Sequence, residues 1–129
     1  MKVLAIDYGS KNIGLALVDT ALGVVLPFGR IEWSGERDTR NGLVNIIRKE
    51  KIDKIVAGLP IGIDGKENEN TKKIRKFVSE LKNETDTPVD FIDERFTSAQ
   101  ADRMGGGAGG ASRDEKAAMI LLQSYLDGT

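Results

Sequence analysis

The chain has 129 residues, of which 40% are hydrophobic and 30% are charged, and its formal net charge is −1. This size and composition are typical of one independently folding domain and unlike those of disordered segments. The chain contains no cysteine and no histidine, which excludes disulfides, thiolate nucleophiles, sulfur-ligated zinc and catalytic triads that need an imidazole base. Hydrolytic chemistry would therefore have to use carboxylates and a metal ion.

Membrane and secretory signals are missing from the sequence. No apolar run approaches the roughly 18 residues that a membrane-spanning helix needs, and the first residues enter a short apolar strand without a small-residue cleavage site. We therefore expect a cytoplasmic protein that has no contact with a membrane.

The charge balance argues against a nucleic-acid-binding protein, because such domains usually carry a basic excess. The basic residues are nevertheless clustered in two runs. An ordinary solvated helix face is the simpler explanation for both. The two runs are Arg48, Lys49, Lys51 and Lys54, and Lys72, Lys73, Arg75 and Lys76.

Three segments rich in Val, Ile and Leu open the chain and predict strands at residues 2–8, 13–18 and 23–32. The links between them are short, which favours an antiparallel meander. From about Glu36 the apolar spacing becomes that of a helix, and a strand is predicted at residues 54–59.

A second helix and a fifth strand follow. Ile74, Phe77, Val78 and Leu81 have the spacing i, i+3, i+4, i+7 of an apolar helix stripe, and Pro88 opens the strand VDFID. Alternating strands and helices imply parallel pairing with right-handed crossovers. The predicted fold is α/β, with the order βββαβαβα and a mixed five-stranded sheet that carries helices on both faces.

Two capping boxes predict further helix starts, the first at Thr97 with Gln100 and the second at Ser112 with Glu115. Between them lies a glycine-rich stretch, residues 105–110. It is not followed by the Lys-Ser/Thr pair of a phosphate-binding loop, so we predict a mobile loop there.

Four acidic residues are candidates for a metal site. Asp7 ends an apolar strand, where an unpaired carboxylate is costly, although an aspartate at a strand end is as often a turn former. Asp93 and Glu94 follow another strand and point to opposite faces if the strand stays extended, so only one can share the face of Asp7. A local ion pair with Arg95 is the alternative explanation.

Asp114 is the candidate from the last helix. On that helix it shares a face with Ala118, Leu121 and Tyr125, which should pack on the sheet. The helix dipole alone also favours an acid in the first turn. Glu115 points elsewhere and is assigned to capping, so Asp114 is the functional candidate and Glu115 the structural one.

Carboxylates from two strand ends and a helix start would form an oxygen-rich site suited to Mg²⁺ or Mn²⁺ and not to zinc. Two such ions, about 3.5 to 4 Å apart, can activate a water nucleophile and stabilise the leaving oxygen of a phosphodiester. The predicted chemistry is therefore metal-dependent phosphodiester hydrolysis.

Four segments in order resemble the YqgF family, also called RuvX, which comprises Holliday-junction resolvases and nucleases that mature the small-subunit ribosomal RNA precursor. They are LAIDYGSKNIGLALVD, VAGLPIGIDG, FIDERFTSAQA and DEKAAMILLQSYLD. The resemblance covers nearly the whole chain and implies one ribonuclease-H-like domain over residues 1–129. It also implies that Asp7, Glu94 and Asp114 are the catalytic metal ligands, with Asp93 as an accessory acid.

The resemblance further implies which residues lie near the substrate strand. These are Arg95, Thr97 and the loop 59–65, which includes Pro60 and Asp64. Lys11 and Arg95 are the expected phosphate neighbours. The sequence departs from the family at Asn12, where an arginine is usual, and at GGGAGGA, which replaces a loop that is often basic; both changes remove phosphate contacts.

Alternative functions remain open. The segment IDYGSKNIG also looks like the first phosphate loop of actin-like kinases, but those proteins close two such domains over a nucleotide. A non-catalytic RNA- or DNA-binding module is a second alternative. Between ribosomal RNA and four-way DNA junctions we favour RNA, because a resolvase should dimerise to make two symmetric cuts and the sequence shows no obvious extra apolar surface. We expect a monomer or a weak homodimer.

Overall fold

The computed structural model describes residues 1–9, 11–60, 68–93 and 113–128. Within these ranges the order of elements is βββαβαβα, as predicted. The strands are β1 (Lys2–Tyr8), β2 (Asn12–Asp19), β3 (Val25–Glu32), β4 (Lys54–Leu59) and β5 (Val89–Asp93). The helices are α1 (Glu36–Lys49), α2 (Glu69–Thr85) and α3 (Arg113–Asp127). The predicted helix start at Thr97, the glycine-rich stretch and the capping residue Ser112 lie outside the described residues.

The five strands form one mixed sheet in the order β3-β2-β1-β4-β5. The antiparallel meander of β1, β2 and β3 is confirmed, as is the parallel pairing of β1 with β4 and of β4 with β5. Because the three parallel strands run in the same direction, their carboxyl ends meet at one edge of the sheet. Asp7 and Asp93 both lie at that edge.

Strand alternation divides the core into two layers. On β1, Leu4 and Ile6 face α1 and α2, whereas Val3 and Ala5 face α3. The predicted stripe of α2 (Ile74, Phe77, Val78 and Leu81) is fully buried. Helices therefore cover both faces of the sheet, with α3 alone on one of them among the described elements.

Helix α2 begins with a capping box that the sequence analysis did not identify. The backbone N–H of Thr71 donates to Asn68 Oδ1 over 3.0 Å, and the N–H of Asn68 donates to Thr71 Oγ1 over 2.8 Å. Threonine replaces the usual Glu or Gln of this motif, so the S/T-x-x-E/Q pattern does not predict it.

The edge strand β3 and the turn before it expose more apolar surface than expected. Leu22, Val24 and Leu26 are 76%, 58% and 54% exposed. The sequence pattern does not predict this surface; Leu26 lies on an edge strand at a point that none of the described helices covers. Among the described helices, none is long and apolar enough to cross a membrane.

Candidate functional site

Asp7 and Asp114 meet at Gly14. Asp7 is half-buried and lies opposite Gly14 in the antiparallel register of β1 and β2. The backbone of Asp114 lies directly on Gly14, so closely that a Cβ placed on this glycine would overlap the Asp114 carbonyl group and lie 3.1 Å from its Cα. The missing side chain of Gly14 thus allows the first turn of α3 to approach the end of the sheet where Asp7 is located.

A third strand contributes Arg30 to the same arrangement. Arg30 on β3 pairs with Gly14 on β2, so that Asp7, Gly14 and Arg30 form one row across three strands. Arg30 Nη1 lies 3.6 Å from Asp114 Oδ2, and the Arg30 side chain is 57% exposed. The Asp114 carboxylate is therefore partly balanced by a cation that solvent can still reach.

Helix α3 is fixed to the sheet at both of its ends. Near its start, Glu115 Oε2 accepts a 2.7 Å hydrogen bond from the backbone N–H of Gly29. Near its end, the Tyr125 hydroxyl donates to Asp90 Oδ2 over 2.8 Å. That hydrogen bond, with the help of a second from Lys54, lowers the pKa of Asp90. These contacts hold Asp114 in place relative to the sheet.

The predicted face of α3 is confirmed by burial. Ala118 and Leu121 are buried, and Tyr125 packs against the same layer as Ala118. Glu115 has a structural contact, as expected, but the contact observed is with the backbone of β3. Its predicted capping partner, Ser112, lies outside the described residues.

The carboxyl end of β5 holds the second acidic segment. Asp93 is the last residue of β5 and lies opposite Leu59 on β4. Strand alternation groups Asp93 with Val89 and Phe91, on the side of the sheet that α1 and α2 cover. The described structure thus does not bring Asp93 to the face that Asp7 and Asp114 share.

Several predicted site residues fall outside the described ranges. These are Glu94, Arg95, Thr97 and Asp64. Within residues 1–9, 11–60, 68–93 and 113–128, no group of three or more acidic residues is arranged to hold a metal ion. The described part of the chain therefore supplies two of the three predicted ligands.

Two predicted substrate contacts lie at the same edge of the sheet. Lys11 is exposed between β1 and β2, and its carbonyl accepts a 2.7 Å hydrogen bond from the Trp33 N–H. Pro60 directly follows β4 and is partly buried. Both residues are positioned near the end of β1 where Asp7 is found.

Arg30 and Gly14 are functional candidates that the sequence analysis missed. A glycine inside a strand often marks a close approach of another backbone, so the run Ile13, Gly14, Leu15 carried a usable signal. The sequence around Arg30 carried no such signal, because its partner Asp114 is far away in the sequence.

The carboxylates of Asp7 and Asp114 are hard oxygen ligands of the kind that Mg²⁺ and Mn²⁺ prefer. They come from a strand end and a helix start, as the sequence predicted, and the backbone contact at Gly14 brings these two segments together. This arrangement fits a divalent cation.

Comparison with known proteins identifies the family and agrees with the fold. The family model RuvX, described as Holliday junction resolvase, matches residues 1–128. A protein of Dictyoglomus turgidum is 40% identical over 133 residues, covering 98% of this chain and 94% of that protein. One of Maridesulfovibrio salexigens is 35% identical over 132 residues, covering 98% of each. Both are provisionally named pre-16S rRNA nucleases.

A solved structure of RuvC from Thermus thermophilus has the same fold, with a TM-score of 0.71 at 13% identity over 98% of this chain and 93% of that one. This likeness shows the fold, so the predicted ribonuclease-H-like fold class is confirmed. The match over residues 1–128 and the two close relatives show that this chain belongs to the RuvX family.

Proposed function

We propose that this chain is a metal-dependent nuclease that hydrolyses phosphodiester bonds in structured nucleic acid, with the pre-16S ribosomal RNA as its substrate. The observation that carries the proposal is the meeting of Asp7 and Asp114 at Gly14, in a chain of the RuvX family. The names of the two relatives supply the substrate. The proposal includes a single domain over residues 1–129 and a cytoplasmic location.

In this proposal Asp7, Glu94 and Asp114 hold Mg²⁺ or Mn²⁺, whereas Asp93, on the side of the sheet that α1 and α2 cover, takes no part in holding the ion. A bound ion would supply Lewis-acid activation of water and of the phosphate. Glu94 directly follows β5, which ends at the same edge of the sheet as β1. Arg30 keeps the charge of Asp114 partly compensated before an ion binds.

The chain's other predicted site residues would position the substrate. Lys11, exposed beside the end of β1, and Arg95 would contact phosphates, while Thr97, Pro60 and Asp64 would lie along the strand that is cut. Because these groups are few, the proposal predicts a shallow dependence of binding on salt.

The test is cleavage of a pre-16S rRNA fragment by the purified protein with Mg²⁺, with Mn²⁺ and with a chelator. We expect metal-dependent cutting that falls to background in Asp7→Asn. Asp19→Asn is the matched control, since Asp19 lies at the far end of β2 and, within the described part of the chain, contacts the N-terminal amino group and nearby backbone. Cutting that persists in Asp7→Asn or in the chelator would overturn the proposal.

A four-way DNA junction is the second candidate substrate. It is favoured by the exposed Leu22, Val24 and Leu26, which give two copies of the chain an apolar surface for the pairing that symmetric cuts require. The same assay with a synthetic junction, together with sedimentation of the protein, separates the two substrates. If wild-type protein binds nucleic acid but cuts neither substrate, and Asp7→Asn binds equally well, the chain is a binding module.

A further inference from the structure

A groove of about 540 Å³ opens beside the end of β1, on the face of the sheet opposite Asp7. It lies between the end of β1, the segment from the end of β3 to the start of α1, and the first turns of α2. Its lining residues are Tyr8, Gly9, Trp33, Glu36, Asn70, Lys73, Lys76 and Phe77. Tyr8 directly follows Asp7 in the chain, so the groove and the acidic site are separated only by the edge of the sheet.

The floor of the groove is a cluster of three aromatic rings. The Tyr8 and Trp33 rings are 5.4 Å apart, and each lies 5.7 Å from the ring of Phe77. Phe77 is buried, whereas Tyr8 and Trp33 are half-buried and keep part of their rings open to the groove. Such partly exposed rings are the platforms on which nucleic-acid bases stack.

Polar groups of these rings are available to a ligand. Neither the Tyr8 hydroxyl nor the Trp33 indole N–H forms a hydrogen bond with the part of the chain that the structure describes. The hydroxyl and the indole N–H can each donate a hydrogen bond to a ligand.

The rim of the groove carries positive charge. Lys73 and Lys76 lie one turn apart on the same side of α2, and both are exposed. Neither forms an ion pair among the described residues. Among the described lining residues Glu36 is the one acid, so there two cations face one anion. This balance is complementary to a phosphodiester.

Packing alone explains only part of this arrangement. Phe77 belongs to the core, and exposed lysines are common on helix faces. Core packing, however, does not require two half-exposed aromatic rings to lie beneath two unpaired lysines and the Asn70 amide. That combination of stacking surface, cations and hydrogen-bonding groups is typical of a site for a single-stranded nucleotide.

Building on the proposed nuclease function, we propose that this groove binds an unpaired nucleotide of the nucleic-acid strand that is cut at Asp7 and Asp114. Its base stacks on the Trp33 ring with the Tyr8 ring, inclined at 67° to Trp33, at the edge of the base, and its phosphate lies between Lys73 and Lys76. The strand passes from the groove to the acidic site along Gly9, which follows Tyr8 in the chain and lines the groove. The enzyme thereby selects substrates that have a single-stranded segment next to the cut.

Trp33 makes this proposal directly measurable, because it is the only tryptophan of the chain. The probes are an RNA hairpin with a short single-stranded overhang, the same hairpin with a blunt end, and the DNA counterpart of each. Binding is followed in a chelator, where no cutting interferes, by fluorescence anisotropy of the labelled probe and by the emission of Trp33.

We expect the overhang hairpin to quench Trp33 emission and the blunt hairpin to bind more weakly without quenching. Lys73→Ala and Lys76→Ala each reduce the salt dependence of overhang binding by about 0.7 in the log–log slope. Lys72→Ala is the matched control, because Lys72 is an exposed lysine of the same helix outside the groove, and its binding stays at the wild-type level.

The outcomes separate the two proposals. Overhang binding without any change in Trp33 emission, or with Lys73→Ala and Lys76→Ala equal to wild type, overturns the groove proposal even if the RNA is cut normally. Cutting that is absent throughout, with quenching intact, overturns the nuclease and keeps the groove. Quenching by both RNA and DNA overhangs shows that the groove reads an unpaired base, and quenching by one alone names the substrate class.

Discussion

Replacing Gly14 with alanine tests the contact that joins Asp7 to Asp114. The new Cβ would overlap the Asp114 carbonyl group and lie 3.1 Å from its Cα, whereas carbon atoms in normal contact are about 3.5 to 4.0 Å apart. All the obstructing atoms belong to the backbone, so no side-chain rotation can relieve the overlap. Helix α3 would have to move away from the sheet by on the order of 1 Å.

This displacement has two expected consequences. Overpacking of this kind costs about 1 to 3 kcal/mol of unfolding free energy, which lowers Tm by several degrees in a chain of this size. A misplacement of about 1 Å at the reacting groups costs on the order of a hundredfold in rate. Activity should therefore fall much further than stability.

The assay combines thermal unfolding, followed by circular dichroism, with metal-dependent cleavage. Gly42→Ala is the control, because the same change on α1 places a Cβ at an ordinary 3.8 Å from Ile31 Cδ1. In a helix interior it should stabilise by about 0.5 to 1 kcal/mol. A Gly14→Ala protein with wild-type Tm and wild-type cleavage would refute the close contact between α3 and β2.

Two further predictions concern Arg30 and Tyr125. In Arg30→Gln, Asp114 loses the cation that competes with a metal ion. Because exposed ion pairs contribute little, the Mg²⁺ concentration for half-maximal activity should fall by a factor of only about two to five. The control Arg37→Gln, on the exposed side of α1, should leave that concentration unchanged, and equal values for both variants would contradict a competing ion pair. Tyr125→Phe removes the hydrogen bond that lowers the pKa of Asp90, so its Tm should be below that of wild type at pH 7. A lowered carboxyl pKa stabilises the folded state at pH values above the ordinary pKa of 3.8. The difference in Tm between Tyr125→Phe and wild type should therefore shrink as the pH falls below 3.8 and through the folded-state pKa of Asp90. A Tm difference that stays constant down to low pH would assign the loss of stability to packing.

Most of the fold could be predicted from the sequence because its elements have regular apolar periods. The strand at residues 2–8 was predicted with the observed boundaries, and the stripe from Ile74 to Leu81 gave the buried face of α2. The direction of Asp114 on α3 also followed from helical periodicity. These features depend on residues that are close in sequence, which is where periodic patterns carry information.

The rest of the site depends on contacts between distant residues. The Arg30–Asp114 ion pair and the Gly29–Glu115 hydrogen bond join β3 to α3, and no local pattern encodes them. The groove beneath Lys73 and Lys76 needs Trp33 from a different segment. The lysines alone were explained as a solvated helix face, which describes their exposure correctly but not the aromatic rings beside them.

The position of α3 along the chain has a consequence for biosynthesis. It is the last described element to leave the ribosome, and translation proceeds at about 5 to 20 residues per second. Until then no other described helix covers the face formed by Val3, Ala5, Ala16, Val18 and Val56. A nascent chain that has already paired its strands thus lacks Asp114. The docking of α3 shields the apolar face and, in the same step, brings the carboxylates of Asp7 and Asp114 together.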